Sequence, residues 1–461
     1  QALMRSSRSG GTGMVRWLLG LILAAYVLLA VAYSLGTPRW EAPDEPSHYL
    51  YAEYLAEHRS LPPEAPPQPS ANYWEGGYVT SLYEWYQPPL YYALVAPQIA
   101  LVDLVGPGTI PQEFPPVDPA FPEQVDYLFA AMPDPAFAAL GLRVARFFSI
   151  LLGLGTLLVV YRMAMLVSGG DRAVALTATG LMAFIPQYTY LTGYVTNDNL
   201  AVLLSAVCLL AFLRLLEPAE GRSLWRVAGT GLLLALALYT KLSLLFLMPL
   251  GMLCLLLRLA WHRSAKQWFL ESFVFASAAL LPLLLGVLLL PGMGDQVAYA
   301  YESLRVKAEF MSVAYLADLW PQTYTSFWGR FGWMNVGTPR WIAHAMNAIA
   351  AVGLIGSLLV LVCGTERARR LPTMQPSVAM LWAACGLVAV GFVRFNLSIR
   401  QPQGRLLFAA LPAFAILVAL GYRLLSGRRY ALVGTSMVLF TFATNLVCLF
   451  GALLPAYAHT V

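Results

Sequence analysis

Residues 15–48 carry the sequence VRWLLGLILAAYVLLAVAYSLGTPRWEAPDEPSH. Residues 15–35 are almost entirely apolar and are long enough to cross a hydrocarbon core of about 30 Å. Two adjacent carboxylates, Asp44 and Glu45, follow this run at the membrane face. Ionisable groups at such a place cost free energy unless they are solvated or paired. The stretch therefore predicts a membrane helix followed directly by a functional site.

The same composition continues along the chain of 461 residues, which is 59% hydrophobic and 11% charged. Its mean hydropathy of +0.64 excludes an ordinary soluble domain. Because apolar stretches of spanning length recur, the predicted fold class is all-α integral membrane. The net charge of +5 does not indicate nucleic-acid binding, since the basic residues are spread over the loops between spans. All five cysteines lie in apolar segments, which argues against a disulfide framework.

Basic clusters in the loops predict the orientation, because cytoplasmic loops of membrane proteins are enriched in Lys and Arg. The segment 15–35 is expected to be a retained signal anchor behind a cytoplasmic tail, residues 1–14. About eleven crossings follow, with the N-terminus inside and the C-terminus outside. The predicted spans are 15–35, 144–166, 173–192, 199–215, 225–240, 242–258, 268–290, 341–363, 377–395, 405–423 and 431–453.

Two long segments are predicted on the extracytoplasmic side. The first, residues 36–142, holds 19 of the 31 prolines. Its apolar run 88–105 is predicted to lie in the outer interface, because a crossing there would place every later basic cluster outside. The second segment, residues 291–340, is expected to form another wall of a site. Transmembrane helices are predicted within residues 143–290 and 341–461.

The adjacent carboxylates have a structural and a functional interpretation. The Glu45-Pro46 step is typical of a helix start, so one carboxylate would cap a helix that ends near His58. In the functional interpretation, one carboxylate of the pair points outward, where it takes a proton from an acceptor hydroxyl. The catalytic candidates are therefore Asp44, Glu45 and His48.

Polar residues at other predicted outer junctions are candidate substrate ligands. Asn197 and Asp198 open a span, where they either cap a helix or, on the same side as Asp44, bind sugar hydroxyls or a cation. Lys241 stands between two short apolar runs, where it either extends harmlessly to the interface or binds an anion.

Arginines complete the set of candidate ligands. Arg394, Arg400 and Arg405 lie where the predicted topology disfavours cations, and such arginines are typical of phosphate sites. Arg330 lies in the aromatic segment 327–333. That segment is interpreted either as a sugar-stacking surface or as an interfacial anchor.

Several common site patterns are absent from the sequence. There is no metal-binding spacing of His or Cys, no Walker loop and no dinucleotide fingerprint. We therefore expect no cofactor and no nucleic-acid partner, and a divalent metal is not indicated. An enzyme with this chain would use a substrate that is already delivered to the outer leaflet of the bilayer.

Together these segments resemble the GT-C class of integral-membrane glycosyltransferases. That class includes protein O-mannosyltransferases and the lipid A aminoarabinose transferase, and the chain is most similar to a bacterial multi-pass branch. The resembling segments follow the order of the family and are PDEPSH (43–48), QPPLYY (87–92), NDN (197–199), TK (240–241), FWGRFGW (327–333) and QGR (403–405).

The resemblance implies transfer of a sugar, with inversion, from a polyprenyl-phosphate donor to a glycan, lipid or protein acceptor. The reaction would take place at the extracytoplasmic face of the cell (inner) membrane. Asp44 matches the catalytic acid of the family's first outer loop and would act as the base, with Glu45 and His48 orienting the acceptor or the carboxylate itself. Lys241, Arg400 and Arg405 would face the departing lipid phosphate. Some relatives carry an Asp-x-Asp pattern with a divalent metal, and this pattern is absent here.

Two other classes of protein are compatible with parts of the sequence. A transporter or flippase usually carries charges or broken helices at mid-membrane, whereas the polar residues here cluster at one predicted face. A non-catalytic subunit that binds a lipid-linked glycan would need the arginines but not Asp44. Turnover by an Asp44 variant separates this last alternative from an enzyme.

Overall fold

A computed structural model describes residues 2–64, 84–105, 136–217, 224–259, 264–303, 305–307, 310–363 and 374–458. Much of the predicted first outer module, residues 65–83 and 106–135, lies outside the described residues. The same holds for the predicted basic loop 364–373.

Helices make up 81% of the described chain. The helices are α1 (Ala2–Gly36), α2 (Glu45–His58), α3 (Leu90–Asp103), α4 (Ala136–Val167), α5 (Arg172–Ala183), α6 (Pro186–Leu191), α7 (Asp198–Leu215), α8 (Leu224–Leu238), α9 (Leu247–Leu259), α10 (Ala265–Leu289), α11 (Met293–Ser303), α12 (Val313–Ser326), α13 (Arg340–Cys363), α14 (Met374–Asn396), α15 (Leu411–Ser426), α16 (Tyr430–Cys448) and α17 (Leu454–Ala456).

Short irregular elements connect some of these helices. There are 3-10 helices at Leu242–Phe246, Gly404–Ala410 and Gly427–Arg429, and a π-helical turn at Leu449–Leu453. Two antiparallel strands, β1 (Arg330–Phe331) and β2 (Val336–Gly337), form a small hairpin between α12 and α13.

Eight helical segments of the described chain are long and apolar enough to cross a membrane. The fold class predicted from the sequence, an all-α multi-pass membrane protein, is thereby confirmed. The segments are Gly13–Gly36, Ala139–Val167, Asp198–Leu215, Leu242–Leu259, Ala265–Leu289, Arg340–Leu359, Met374–Asn396 and Gly404–Ala456.

The count of eleven crossings stays a prediction, because three predicted regions differ from the observed helices. The predicted span 173–192 is divided into α5 and α6 at Pro186, a residue that cannot donate a backbone hydrogen bond. The predicted span 225–240 is the 15-residue helix α8. The predicted spans 405–423 and 431–453 fall within one apolar stretch, Gly404–Ala456.

The helices around the first outer loop agree with the sequence. Helix α2 begins at Glu45 and ends at His58, as predicted. Helix α3 has 14 residues and rises about 21 Å, less than the hydrocarbon thickness, in agreement with an interfacial position. Beneath α2 and α3 lies a core of buried aromatic residues, separate from the main transmembrane core. Its rings are Trp40, Tyr49, Tyr51, Tyr91 and Tyr92.

Candidate functional site

Asp44 occupies the N-cap position of α2 but does not act as a cap. Its backbone is left-handed, with φ 65°, and its side chain makes no capping hydrogen bond. Aspartate tolerates this conformation better than most residues, and such backbones are often found at functional sites. The carboxylate instead forms an ion pair with Nη2 of Arg405. The structural interpretation of Asp44 as a helix cap is therefore wrong.

Glu45 faces a different partner from its neighbour. Its carboxylate accepts hydrogen bonds from Nε (2.8 Å) and Nη2 (2.6 Å) of Arg146, and a third from the backbone N–H of Val195 (3.0 Å). The side chains of Glu45 and Arg146 are only 0% and 5% exposed. Because both oxygens of Glu45 are engaged inside the protein, this residue holds the loop in place rather than facing a substrate.

Arg146 is the residue that closes the loop between α1 and α2. Beyond Glu45, its guanidinium donates to the carbonyl oxygens of Ser34 (2.8 Å), Thr37 (2.9 Å) and Pro38 (3.1 Å). We call this arrangement the Glu45–Arg146 clamp. Sequence reasoning missed Arg146, although an arginine inside a predicted span, residues 144–166, was a usable signal.

His48 connects three elements through its ring nitrogens. Nδ1 lies 2.8 Å from the hydroxyl of Tyr92, and Nε2 lies 3.4 Å from Oγ1 of Thr196. The same Thr196 oxygen accepts a hydrogen bond from the backbone N–H of Asp198. Burial lowers the pKa of His48 to about 3, so the ring is neutral near pH 7. This geometry suits a positioning residue and not a proton acceptor.

Four predicted residues meet in one charged cluster, which we define as Asp44, Asp198, Lys241 and Arg405. Arg405 lies between the two carboxylates, paired with Asp44 and with Nη1 3.8 Å from Oδ2 of Asp198. Nζ of Lys241 lies 2.6 Å from the other oxygen of Asp198. Asp44 and Asp198, which were predicted to lie on one side of the membrane, thus meet at one arginine.

The four side chains come from different parts of the chain and are held at their positions by local structure. Asp198 is the first residue of α7, and Lys241 is an extended residue between α8 and the following 3-10 helix. Arg405 also donates to Oε1 of Gln403 (2.6 Å) and to the hydroxyl of Tyr194 (3.2 Å). These contacts fix the plane of the guanidinium toward Asp44.

Gly404 allows the segment of Arg405 to approach the end of α12. A Cβ atom at this position would lie 2.3 Å from the backbone nitrogen of Phe327, which is closer than atoms can pack. The backbone N–H of Gly404 donates to Oγ of Ser326 at 2.9 Å. A residue with a side chain would not fit at this position of the QGR segment. The close approach that glycine allows places Arg405 beside the loop of Asp44.

Asn197 lies beside the cluster, and so does an acid that sequence reasoning missed. Nδ2 of Asn197 donates to Oε1 of Gln87 at 3.2 Å, while its buried Oδ1 has no hydrogen-bond partner among the described residues.

Glu84 lies three residues before Gln87. The charges of Asp44, Lys241 and Arg405 act on its carboxyl group. Its place just ahead of the QPPLYY segment was the only sequence signal.

Three predicted arginines make their described contacts away from the charged cluster. Nη1 of Arg394 donates to Oγ of Ser398 within its own helix end. Arg400 pairs with Asp318 on α12, and both side chains are more than half exposed. Arg330 donates to the carbonyl of Met334 within its hairpin. Their predicted roles as substrate ligands stay predictions.

The aromatic segment 327–333 belongs to the core. Phe331 is fully buried against Tyr33 and Tyr190, and Trp328 is only 3% exposed. The indole N–H of Trp333 donates to the carbonyl of Trp40 at 3.0 Å. Buried rings cannot stack on a sugar or anchor at the interface, so both interpretations are wrong for Trp328 and Phe331. The segment instead packs the hairpin onto α1 and α6.

The described residues contain no group of three or more His, Cys, Asp or Glu side chains that could hold a metal ion. The charged cluster has two carboxylates, and Arg405 occupies the space between them. Metal dependence is not tested by this arrangement. The expectation that no metal is required stays a prediction.

Comparison with known proteins gives one family match and several structural likenesses. Residues 119–294, a little over a third of the chain, match the model of the family described as dolichyl-phosphate-mannose-protein mannosyltransferase. No curated protein sequence matches the chain significantly.

Among solved structures, the chain is similar to the Archaeoglobus fulgidus oligosaccharyltransferase in its apo form, with 14% identity and a TM-score of 0.48. That alignment covers 96% of this chain and 55% of the oligosaccharyltransferase, so the chain spans about half of its length. ArnT from Cupriavidus metallidurans bound to undecaprenyl phosphate gives 14% identity, coverage of 97% and 75%, and a TM-score of 0.44.

A third similar structure is the S. cerevisiae Pmt1-Pmt2 complex bound to its sugar donor. It gives 19% identity, coverage of 63% of this chain and 35% of the relative, and a TM-score of 0.39. The match of residues 119–294 agrees with the resemblance to GT-C-type membrane glycosyltransferases that the motifs predict.

Proposed function

We propose that the chain transfers a sugar from a polyprenyl-phosphate donor to an acceptor hydroxyl at the extracytoplasmic membrane face. The observation that carries the proposal is the state of Asp44. Its carboxylate is spared from helix capping, stays 17% exposed, and pairs with Arg405 in a cluster that also holds Lys241. The matched family is named for a lipid-phosphate-linked sugar donor, which supports the donor class.

The reaction follows from the chemistry of the charged cluster. Asp44 accepts the proton of the acceptor hydroxyl while the acceptor oxygen forms a bond to the anomeric carbon. The bond from that carbon to the phosphate oxygen breaks, and its electron pair stays on the lipid phosphate. A single displacement of this kind inverts the anomeric configuration. In the free protein, Arg405 orients the Asp44 carboxylate through their ion pair.

The cations serve the leaving group. Lys241 and Arg405 stand beside the place where negative charge develops, and preorganised cations in a poorly solvated site stabilise such charge. Both are neutralised by carboxylates in the free protein. The donor phosphate therefore exchanges places with carboxylates for the same cations, which ties donor binding to the state of Asp44.

The decisive experiment compares Asp44→Asn with Asp171→Asn. Asp171 is a matched control, because it also pairs with an arginine, Arg423, and it caps α5 through its carboxylate. Asn retains the size of Asp and caps about as well, but it cannot act as a base. We expect Asp44→Asn to lower the transfer rate by about 10²–10⁴-fold while donor binding persists, and Asp171→Asn to keep the wild-type rate.

The readout is release of lipid phosphate by the purified protein from a panel of undecaprenyl-phosphate-linked hexoses and pentoses. Acceptors are added as glycan, lipid and peptide fractions of the cell envelope. Transfer by Asp44→Asn near the wild-type rate would remove Asp44 as the base. Donor binding without any turnover by the wild type would favour a non-catalytic binding subunit.

The extracytoplasmic position of the site has a separate test. The native cysteines of the chain are first replaced. One cysteine is then introduced, in separate variants, at Ser312, the exposed N-cap of α12, or at Ser426, the last residue of α15. An impermeant thiol reagent applied to intact cells should label position 312 and spare position 426. The opposite pattern would place the charged cluster on the cytoplasmic side.

A further inference from the structure

Glu84 is a buried acid at the edge of the charged cluster that the proposed reaction does not use. Its backbone N–H donates to Oγ of Ser47 on α2 at 3.0 Å, and its carbonyl accepts from the backbone N–H of Gln87 at 3.0 Å. Its carboxyl oxygen Oε2 is buried and has no hydrogen-bond partner among the described residues. A buried acceptor without a partner is costly, so this carboxyl group needs an explanation.

The segment that carries Glu84 is firmly attached to its surroundings. Nε2 of Gln296 on α11 donates to the carbonyl of Trp85 at 2.6 Å, and the hydroxyl of Tyr51 donates to the carbonyl of Gln87 at 3.2 Å. The backbone N–H of Leu90 donates to the carbonyl of Tyr239 at 2.9 Å. The backbone of the segment that carries Glu84 is therefore attached to three other elements, α2, α11 and the end of α8.

The charged and titratable groups that face Glu84 come from every side of the cluster. They are Asp44 before α2, Lys241 after α8, Arg405 before α15 and Tyr92 on α3. Burial raises the pKa of Glu84 to about 7, and the negative charge of Asp44 adds to the rise, against Lys241, a hydrogen bond from Gln87, and Arg405. The group is thus divided between its acid and its carboxylate form near neutral pH.

The protonation state of Glu84 changes the net charge of the site. Each cation of the cluster already has a carboxylate partner, Arg405 with Asp44 and Lys241 with Asp198. An ionised Glu84 leaves the site with one surplus negative charge, and an incoming phosphate adds more. In a poorly solvated site like charges repel strongly, so protonation of an acid is the least costly compensation.

We propose that Glu84 takes up a proton when the lipid phosphate of the donor binds, which makes it a positioning residue for the anion. The inference rests on the proposed function, since it assumes a polyprenyl-phosphate donor. The proton comes from solvent and stays on the Glu84 carboxyl group while the phosphate occupies the cations. Release of the lipid phosphate returns the proton.

The sign of the pH dependence follows from this linkage. Below pH 7 Glu84 is already protonated in the free protein, so its contribution to donor affinity is constant. Above pH 7 the free protein has lost the proton and must recover it on binding. The dissociation constant then rises by up to about tenfold for each pH unit, the limit for linkage to one proton.

The test measures binding of undecaprenyl phosphate to the purified full chain from pH 6 to pH 9 in three proteins. Glu84→Gln fixes the neutral form, while Glu53→Gln is a matched control. Glu53 lies on α2, and burial raises its pKa to about 8, but its neighbouring charges are Glu57 and Asp103 rather than the cluster. Titration of the phosphate itself is common to all three proteins, so it cancels in the ratios of their dissociation constants.

We expect the affinity of the wild type and of Glu53→Gln to fall about tenfold per unit above pH 7, and that of Glu84→Gln to lose this fall. If the affinity of Glu84→Gln falls with pH as steeply as that of the wild type, the inference is overturned while the donor assignment stays intact. Absence of wild-type binding at every pH would overturn the donor assignment, and the inference with it.

A measurement on the wild type alone covers the case in which Glu84→Gln fails to fold. Calorimetric titration at pH 8 in buffers of different ionisation enthalpy gives the number of protons taken up per donor bound. We expect a value near one at pH 8 and a value near zero for uptake by the protein at pH 6. A value of zero at pH 8 would overturn the proposal.

Discussion

Two ion-pair regions meet at one peptide bond, and they differ in what they leave available. In the Glu45–Arg146 clamp every carboxylate oxygen and every guanidinium nitrogen has a partner inside the protein, and the side chains are 0% and 5% exposed. In the charged cluster the side chains of Asp44, Lys241 and Asp198 remain 17%, 14% and 10% exposed. A saturated pair fixes structure, whereas a shared and partly open one is suited to exchanging partners with a ligand.

The difference arises from the number of charges that compete for each partner. Arg146 serves one carboxylate and completes its hydrogen bonds with backbone carbonyls. Arg405 serves two carboxylates and a tyrosine hydroxyl at once. An incoming anion can therefore replace a carboxylate at Arg405, while replacement at Arg146 would leave the carboxylate of Glu45 buried without compensation.

The largest stability effect should come from breaking the clamp. Arg146→Ala leaves the Glu45 carboxylate buried without its cation, which typically costs about 3–5 kcal/mol. We expect a much lower thermal unfolding midpoint in detergent, and lost transfer because the loop of Asp44 is released. Asp44→Asn should lower the midpoint less, because Arg405 keeps the nearby carboxylate of Asp198 and its hydrogen bonds to Gln403 and Tyr194.

The double variant Glu45→Gln/Arg146→Met serves as the control for this reading of the clamp. Removing both charges avoids the unpaired carboxylate and should recover much of the lost stability. If Arg146→Ala unfolds at the wild-type temperature, the contrast between the two regions fails.

A smaller effect should follow from changing the shared cation. Arg405→Lys retains the charge, but one ammonium cannot reach Asp44, Tyr194 and Gln403 together. We expect affinity for undecaprenyl phosphate to weaken by about 1.5–3 kcal/mol, the range of a lost charge-assisted hydrogen bond. Binding is measured on the purified protein at fixed pH.

Arg423→Lys is the matched control for Arg405→Lys. Arg423 also pairs with an aspartate, Asp171, through Nε at 2.9 Å, but it lies at the C-terminal end of α15. Its variant should bind the lipid phosphate as the wild type does. Equal losses in both variants would indicate general destabilisation in place of a role for Arg405 in donor binding.

The smallest effect should be seen at Arg400. This side chain pairs with Asp318, and the two are 55% and 60% exposed, so the pair contributes about 0–1 kcal/mol. We expect Arg400→Ala to leave donor affinity unchanged in the same binding assay. A tenfold loss would restore the assignment of Arg400 to the donor phosphate and would extend the site to α12.

Hydropathy and helix-start patterns were sufficient for the class of fold and for several elements. The apolar runs gave the membrane helices, and the Glu45-Pro46 step placed the start of α2 correctly. The run 88–105 forms a helix of 14 residues, Leu90–Asp103, and its interfacial position stays a prediction. These features depend on local free energies that neighbouring residues determine.

Composition also drew attention to Asp44, Asp198, Lys241 and Arg405, since a charge at a membrane junction is costly wherever the chain goes. It did not separate the two cations of the cluster from Arg394 and Arg400, which carry the same charge at a similar predicted depth. Glu84 and Arg146 were missed because one precedes a loop motif and the other lies within a span. The position of Arg146 within a predicted span was a usable signal, whereas nothing in the local sequence of Glu84 distinguishes a partnered charge from an exposed one.

The sequence by itself thus determined the membrane class, the helical elements and the junctions at which charge is expensive. Only the tertiary structure decided that Asp44 turns to Arg405, 361 positions away, while the next residue turns to Arg146. The physical reason is that hydropathy and backbone preference are set within a few residues along the chain, whereas an ion pair depends on which helix ends the packed bundle brings together.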